Sequence, residues 1–351
     1  MFTPKYNLTN KIVSILISIA ESKTIIARAK LLPKNEIRLR RQAMVRMTHS
    51  STEIEGNILN VQQVEQLLAN KKIDAPERDI YEVENYIKAL KHIEVIIKDK
   101  KKINSATLLK IHGIVTHKTL PKEQSGHFRQ GPIYIVRRRP GLLNEVVYTG
   151  PESKLVAGLC KDLFDWLDDS KKNNINPVLV AGIIHQEIAA IHPFADGNGR
   201  TARAMATLIL YERGYDFRRL FALEDYYNKD RSSYYQAINV GKNYLERRTD
   251  ITSWLEYFVQ GFKEEIYIVK SQVANLSLRN FDNKIESKIF LEKDQMLILD
   301  FIDQMGKIAV TDVIDILNCP RRTAQSKLSK LKELGIIVQE GKGPSTAYVL
   351  K

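Results

Sequence analysis

Residues 192–203 read His-Pro-Phe-Ala-Asp-Gly-Asn-Gly-Arg-Thr-Ala-Arg, a stretch that concentrates a base, a metal ligand, an anion-binding turn and two cationic forks. His192 can be neutral near pH 7 and can take a proton from an incoming hydroxyl. Asp196 is a hard oxygen ligand suited to a Mg²⁺ that bridges phosphates. Gly197 and Gly199 permit positive φ, so the backbone N–H groups of Gly197, Asn198 and Gly199 can converge on one anion. Arg200 and Arg203 lie three residues apart, share one helix face and offer planar guanidinium forks to phosphate oxygens.

These side chains need particular elements beneath them. Ala202, Ala206, Ile209 and Leu210 recur at helical spacing, which predicts a helix over 200–213 with the glycine turn at its N-terminus, where unpaired N–H groups and the macrodipole favour phosphate. Two further apolar-periodic helices, 151–170 and 177–190, are expected to support the loop from below. His185 on the second of them has no partner at metal-ligand spacing and reads as a packed histidine. Gly126-His127-Phe128-Arg129, then Ile133-Tyr134-Ile135-Val136, the turn Arg137-Arg138-Arg139-Pro140-Gly141 and Val146-Val147-Tyr148-Thr149-Gly150-Pro151 predict a β-hairpin in an otherwise helical chain. Far upstream, Ser50-Ser51-Thr52-Glu53-Ile54-Glu55-Gly56-Asn57 is, on its own residues, an acidic helix end closed by glycine, and Asn60 starts the next helix.

The 192–203 stretch resembles the signature of the Fic family, His-x-Phe-x-(Asp/Glu)-Gly-Asn-Gly-Arg-x-x-Arg, at every specified position. Fic proteins are α-helical, and most transfer AMP from ATP to a hydroxyl side chain of a target protein. The resemblance implies His192 as general base, Asp196 as Mg²⁺ ligand, Gly197 to Gly199 as α-phosphate cradle, Arg200 and Arg203 as β/γ-phosphate contacts and Phe194 as an aromatic plug. The hairpin resembles the flap on which such proteins align an extended target segment, with Val146, Val147, Tyr148 and Thr149 beside the nucleotide. Tyr234, Tyr235 and Lys242 fall where the family commonly contacts adenosine, although tyrosines at helical spacing also serve as core. Ser51, Glu55 and Gly56 meet the family's inhibitory pattern, (Ser/Thr)-x-x-x-Glu-(Gly/Asn), which implies a Glu55–Arg203 ion pair that withholds the guanidinium from the γ-phosphate.

Composition describes the remainder. A chain of 351 residues with 44% hydrophobic content can bury a substantial core in two or three units. Cys160 and Cys319 are too few for a disulfide scaffold or a cysteine-based zinc site, no apolar run reaches a membrane span of roughly 18 residues, and 12–20 reads as an amphipathic helix. These features point to a cytoplasmic protein. The net charge of +13 is spread widely, and 98–102 reads as a solvated helix end, so charge selects no partner.

The expected order is a helical region over 1–112 containing the inhibitory helix, a catalytic core over 113–265, a linker or exposed helix over 266–290 and a separate module over 291–351. That module resembles a winged helix-turn-helix: helices over 294–305, 311–317 and 321–334, a tight turn at Asn318-Cys319-Pro320, and a two-stranded wing about Gly341-Lys342-Gly343-Pro344. Its third helix carries Arg321, Arg322, Lys327, Lys330 and Lys332 against the single acid Glu333, whereas the rest of the module is acid-rich. The fold class is thus mainly α, with a small hairpin. The functional reading is a protein adenylyltransferase using ATP and Mg²⁺ on a protein bearing a Tyr, Thr or Ser hydroxyl. DNA and a second copy of the chain stand as further candidate partners. The alternatives are a DNA-binding regulator whose core senses nucleotide and an enzyme that removes AMP.

Overall fold

Helix α7 (Pro177–Ile191) is apolar on nearly every side, and a helix patterned in that way must be enclosed. Thirteen of its fifteen residues are buried. In the computed structural model, which describes residues 2–137, 145–247, 250–282, 291–341 and 346–351, α7 packs along α8 (Asn198–Glu212). Helices α4 (Glu77–Lys98) and α5 (Ser105–Val115) lie against α8, and α6 (Ser153–Lys172) lies against α7. Helix α12 (Thr252–Asp282) also packs against α7 at Gly182, where the Leu255 and Phe258 side chains come close to the backbone. There the fully buried Trp254 donates its indole N–H to the Gly182 carbonyl at 2.8 Å.

The described chain forms two units, Met1–Ala27 with Gln42–Lys270, and Arg28–Arg41 with Ser271–Lys351. The first holds α1 (Asn10–Arg28), the C-terminal part of α2 (Pro33–Ile54), α3 (Val61–Leu68) and helices α4 to α8, followed by α9 (Leu223–Lys229), α10 (Arg231–Ile238), α11 (Tyr244–Arg247) and α12. Residue 113 lies inside α5, and α12 runs from within the first unit to Asp282. Asn60 starts α3 with a reciprocal capping box to Gln63, as its sequence position predicts. The hairpin pairs β1 (Tyr134–Arg137) with β2 (Glu145–Thr149) antiparallel; a register shift between Ile135 and Val136 leaves Val147 as the extra residue of a bulge. Gly126 to Arg129 are turn and irregular backbone leading into it.

The second unit has its own core of Ile37, Ile298, Leu299, Ile302, Ile308, Val313, Ala324, Leu328, Leu331 and Ile337. Three helices, α13 (Lys293–Met305), α14 (Val310–Leu317) and α15 (Arg321–Glu333), precede the antiparallel pair β3 (Ile337–Glu340) and β4 (Ala347–Leu350). Asn318 adopts the left-handed conformation (φ 47°) that ends α14 and turns the chain into α15. Arg138 to Gly141 of the expected flap turn, Lys342 to Pro344 of the expected wing turn and 283–290 of the expected linker lie outside the described residues. No helix among the described residues is long and apolar enough to cross a membrane.

The α7–α12 crossing sets a test of the packing. A Cβ on residue 182 would lie 3.0 Å from both Leu255 Cδ2 and Phe258 Cδ1, with the Phe258 ring behind. Gly182→Ala is expected to lower the unfolding free energy by about 1–2 kcal/mol despite alanine's better helix propensity, because overpacking outweighs it. Urea unfolding checks this; an unchanged midpoint would show that α12 yields at no cost.

Candidate functional site

The loop between α7 and α8 is fixed from below before any ligand arrives. His192 ends α7 in the left-handed region (φ 49°), a strained position for a residue with a Cβ. Its carbonyl accepts from Arg129 Nε at 2.9 Å, and the neighbouring Pro193 carbonyl accepts from the Arg129 backbone N–H at 3.0 Å. Nη1 and Nη2 of Arg129 donate to the carbonyls of Gly131 (2.7 Å) and Pro151 (2.5 Å), so one buried guanidinium bolts both ends of the hairpin to the loop between α7 and α8. The His192 ring places Nδ1 3.2 Å from the Ala189 carbonyl. A carbonyl only accepts, so Nδ1 carries the proton and the basic lone pair of the neutral ring lies on Nε2.

Phe194 is fully buried and stacks on His112, with ring centroids 3.6 Å apart and planes 2° from parallel. His112 accepts the Gly126 N–H on Nδ1 (3.0 Å) and therefore donates from Nε2 to the Asp196 carbonyl (3.0 Å). Burial pulls its pKa down to about 4, consistent with that neutral tautomer. The Asn198 side chain is spent on the Phe194 backbone, with 2.9 Å bonds to its N–H and carbonyl, which leaves the backbone of the turn as its contribution to an anion cradle. Gly197 has φ 76° at the N-cap of α8.

Asp196 and Arg200 are the less satisfied members. The Asp196 carboxylate accepts from Gly197 N–H at 2.6 Å and meets Arg78 Nη2 at 3.1 Å and Arg200 Nη2 at 3.8 Å. Its side chain keeps 40% exposure, and no group of three or more His, Cys, Asp or Glu that could hold a metal occurs among the described residues. Asp196 thus fits a Mg²⁺ that takes its remaining oxygens from a substrate. Arg200 is buried, 3.2 Å from Glu82 Oε1, yet its Nε and Nη1 make no hydrogen bond among the described residues. Buried donors in that state fit an anion such as phosphate.

Arg203 is instead engaged through Nε and Nη2. Its Nε donates to Ser51 Oγ (2.9 Å), and its Nη2 donates to the Ser51 carbonyl (2.8 Å) and Glu55 Oε1 (2.7 Å). Burial opposes the Arg203 charge, but Glu55, Tyr234 and Tyr86 outweigh it and hold the pKa above the ordinary arginine value. The same Glu55 oxygen presses on Gly199, where a Cβ would lie 2.2 Å from it. Gly56, at φ 97°, then turns the chain away from α2. The helix end is itself anchored: Arg46 binds Asp225 (2.5 Å) and Glu265 (2.9 Å), Ser50 donates to Asp225 (2.5 Å), and Glu53 receives Asn228 and Arg231.

The expected adenosine contacts are placed differently from one another. Tyr234 is buried, stacked on Tyr227 at 4.6 Å, with its hydroxyl 3.0 Å from His185 Nε2. Tyr235 is half exposed, its hydroxyl donating to the Ile54 carbonyl at the end of α2. Lys242 is exposed; its carbonyl accepts from Thr149 N–H at 3.0 Å and so ties the end of β2 to the segment after α10. Tyr148 is buried, its hydroxyl donating to the Ala190 carbonyl just before His192, while Val146 is exposed and Val147 partly so. Among the described residues β1 pairs only with β2.

Sequence reasoning missed His112, Arg129, Glu82, Arg78 and Glu224. His112 follows Leu108 and Ile111 on an apolar face and is indistinguishable there from a core histidine, and the contacts that tie the others to the site come from distant segments. Glu224 is the most unusual. It is fully buried behind Arg203, accepts from Tyr86 Oη at 2.9 Å, and burial pushes its carboxyl up to about 7. The folded state therefore holds this proton longer than the unfolded chain, a contribution fully present below the unfolded value of 4.5 and lost as pH rises through about 7. Glu224→Gln, which cannot ionise, should gain stability relative to the native chain between about pH 5 and 8, by up to about 3 kcal/mol. Thermal unfolding across that range checks it; a difference independent of pH would contradict it.

Residues 102–210 match the Fic/DOC family model. The chain is 29% identical over 180 residues to protein adenylyltransferase Fic of Drosophila willistoni, covering 51% of this chain and 34% of that protein. It is 30% identical over 183 residues to protein adenylyltransferase fic-1 of Caenorhabditis elegans, at the same coverage. The chain thus spans about a third of the length of these relatives. A solved Fic family protein from Desulfovibrio desulfuricans G20 shares the fold with a TM-score of 0.64 at 24% identity, over 100% of this chain and 98% of that one. Fic-1 of C. elegans shares it with a TM-score of 0.59 at 22% identity, over 78% and 73%. The loop between α7 and α8 lies within the region that matches the Fic/DOC family model, as do α5, α7 and most of α8.

Proposed function

We propose that this chain is a protein adenylyltransferase that moves AMP from ATP to a Tyr, Thr or Ser hydroxyl of a protein and is restrained by Glu55. The observation that carries the reading is the Glu55 carboxylate, 2.7 Å from Arg203 and pressed against Gly199 at the opening of α8. An anion already sits where the helix N-terminus and guanidinium would attract a phosphate.

In this mechanism His192 Nε2 removes the proton from the target hydroxyl, whose oxygen attacks the α-phosphorus. The bond from that phosphorus to the bridging oxygen breaks, and pyrophosphate leaves. Asp196 is the residue that would hold a Mg²⁺, which would supply charge neutralisation. Backbone N–H groups of 197–199 cradle the α-phosphate, Arg200 fills its orphan donors with phosphate oxygens, and Arg203 requires release from Glu55 to do the same. Val146 to Thr149 line the nucleotide from the flap, and the unpaired edge of β1 aligns the target by strand addition. Tyr235 and Lys242 are the exposed candidates for adenosine; the enclosed Tyr234 supports them through the aromatic cluster. The unpaired cysteines suit a reducing compartment, the cytoplasm.

We read α13 to β4 as a winged helix-turn-helix module used for targeting. A DNA-binding regulator would need the cations of α15 to face phosphates, but Lys327 is paired with Glu292 (2.9 Å) and Asp294 (2.8 Å), and Lys332 donates to Gln339 (2.9 Å). That engagement of two of the five cations within the module favours the enzyme over the regulator.

Label incorporation from ATP at equal folded concentration tests the reading. Glu55→Gly should exceed the native chain by about tenfold or more, and Glu55→Gly/His192→Ala should return to background while binding ATP within a few-fold. A capping role for Glu55 predicts instead a stability loss of about 0.5–1 kcal/mol and no gain of transfer. Equal transfer with and without His192 would overturn the assignment of the base.

A further inference from the structure

Glu82 lies on α4, buried, and its two carboxylate oxygens serve two different parts of the site. Oε1 is 3.2 Å from Arg200 Nη1 and 3.3 Å from Arg78 Nε, and Arg78 reaches on to Asp196 Oδ2 at 3.1 Å. Oε2 accepts from Asn57 Nδ2 at 3.1 Å. That amide also donates to the Asp79 carbonyl (3.0 Å), while Asn57 Oδ1 accepts from Leu59 N–H (3.1 Å). Asn57 stands two residues after Glu55, directly beyond the turn at Gly56.

We propose that Glu82 is a positioning residue shared between the phosphate clamp and the inhibitory segment, holding Arg200 with one oxygen and, through Asn57, the end of the Glu55 turn with the other. The proposal rests on the AMP-transfer reading above and deepens it. Arg200 is almost wholly buried and its charge is permanent, so its orientation follows the nearest buried carboxylate; Asp196, at 3.8 Å and largely solvated, is the weaker anchor. The guanidinium is thereby pre-set, with Nη1 beside Glu82 and Nε left without a hydrogen bond for a phosphate. Asn57 fastens the turn to α4 by two side-chain bonds, which limits how far Glu55 can move from Arg203. Loss of this fastening loosens inhibition; loss of the carboxylate charge loosens the clamp.

The two halves separate by mutation. Glu82→Gln keeps an acceptor for Asn57 but sets an amide N–H against Arg200; Asn57→Ala removes the tie and leaves the Glu82–Arg200 pair. Both are made in the native chain and in Glu55→Gly, and AMP transfer, polarisation of a fluorescent ATP analogue and thermal unfolding are measured. Asn57→Ala should raise transfer by about threefold or more in the native chain and change nothing in Glu55→Gly, because there the inhibitor is already gone. In Glu55→Gly, Glu82→Gln should raise KM for ATP and weaken analogue binding by about tenfold while kcat stays within about twofold, the pattern of lost uniform binding. A purely structural pair would lower the unfolding temperature equally in both backgrounds without a KM–kcat split or a background-dependent gain. Unchanged analogue affinity in folded Glu82→Gln, or no gain from folded Asn57→Ala in a chain that Glu55→Gly activates, would overturn the proposal. A Glu55→Gly chain that transfers no AMP while Glu82→Gln still weakens analogue binding would count against the AMP-transfer reading and leave the positioning role standing.

Discussion

A permanently charged guanidinium in the interior is the constraint to which much of the first unit answers. Arg203 cannot discard its proton, and leaving it without acceptors would cost several kcal/mol. Ser51 supplies a hydroxyl and a carbonyl, and Glu55 supplies the compensating charge. The three acceptors lie on the last turn of α2 and the residue just beyond it, so satisfying one side chain of α8 fixes where an element some 150 residues away must end. The anchoring of α2 by Arg46 and Ser50 to Asp225, and of Glu53 to Asn228 and Arg231, follows from the same demand for a steady acceptor set. The group that stabilises this packing is also the group that the proposed reaction would ask to bind a triphosphate, and the proposed inhibition rests on that shared use.

The loop between α7 and α8 achieves stiffness by a different route. It carries little apolar surface of its own apart from Phe194, and its shape is imposed by directional bonds from outside: Arg129 on the His192 and Pro193 carbonyls, His112 on the Asp196 carbonyl, and Asn198 across the Phe194 backbone. Fixing the backbone while leaving Asp196 partly solvated and Arg200 short of acceptors separates two tasks. The frame is fully bonded, and the groups aimed at ligand are not. Donors held in place before binding need not reorganise during reaction, which is the origin of electrostatic catalysis.

Buried titratable groups behind the site form a second layer. Tyr86, Glu224, His185, Tyr227 and Tyr234 surround Arg203 from the core side, and burial holds His185 well below its ordinary pKa while lifting Glu224. A neutral His185 adds no fixed charge next to Arg203, and Glu224 adds little below about pH 7.

How much of this was legible in the chain itself divides along a physical line. Local, short-range chemistry was: the helical spacing behind the glycine turn, the Asn60 capping box, the hairpin strands, the apolar α7, and the types and order of His192, Asp196, Arg200 and Arg203, since each depends on neighbours within a few residues. The Ser51-to-Gly56 pattern named the partner of Arg203, but only through resemblance, because its own residues read equally as a helix end. Tertiary structure alone decided the rest. It enclosed Tyr234 and left Tyr235 half exposed although they are adjacent, spent the Asn198 side chain on the loop, turned His112 and Arg129 from an apparent core histidine and a flap residue into props of the loop, and brought Asn57, Glu82 and Arg200 together. Such pairings are set by the burial of charges and by which distant segment offers an acceptor, and neither quantity is written in local spacing.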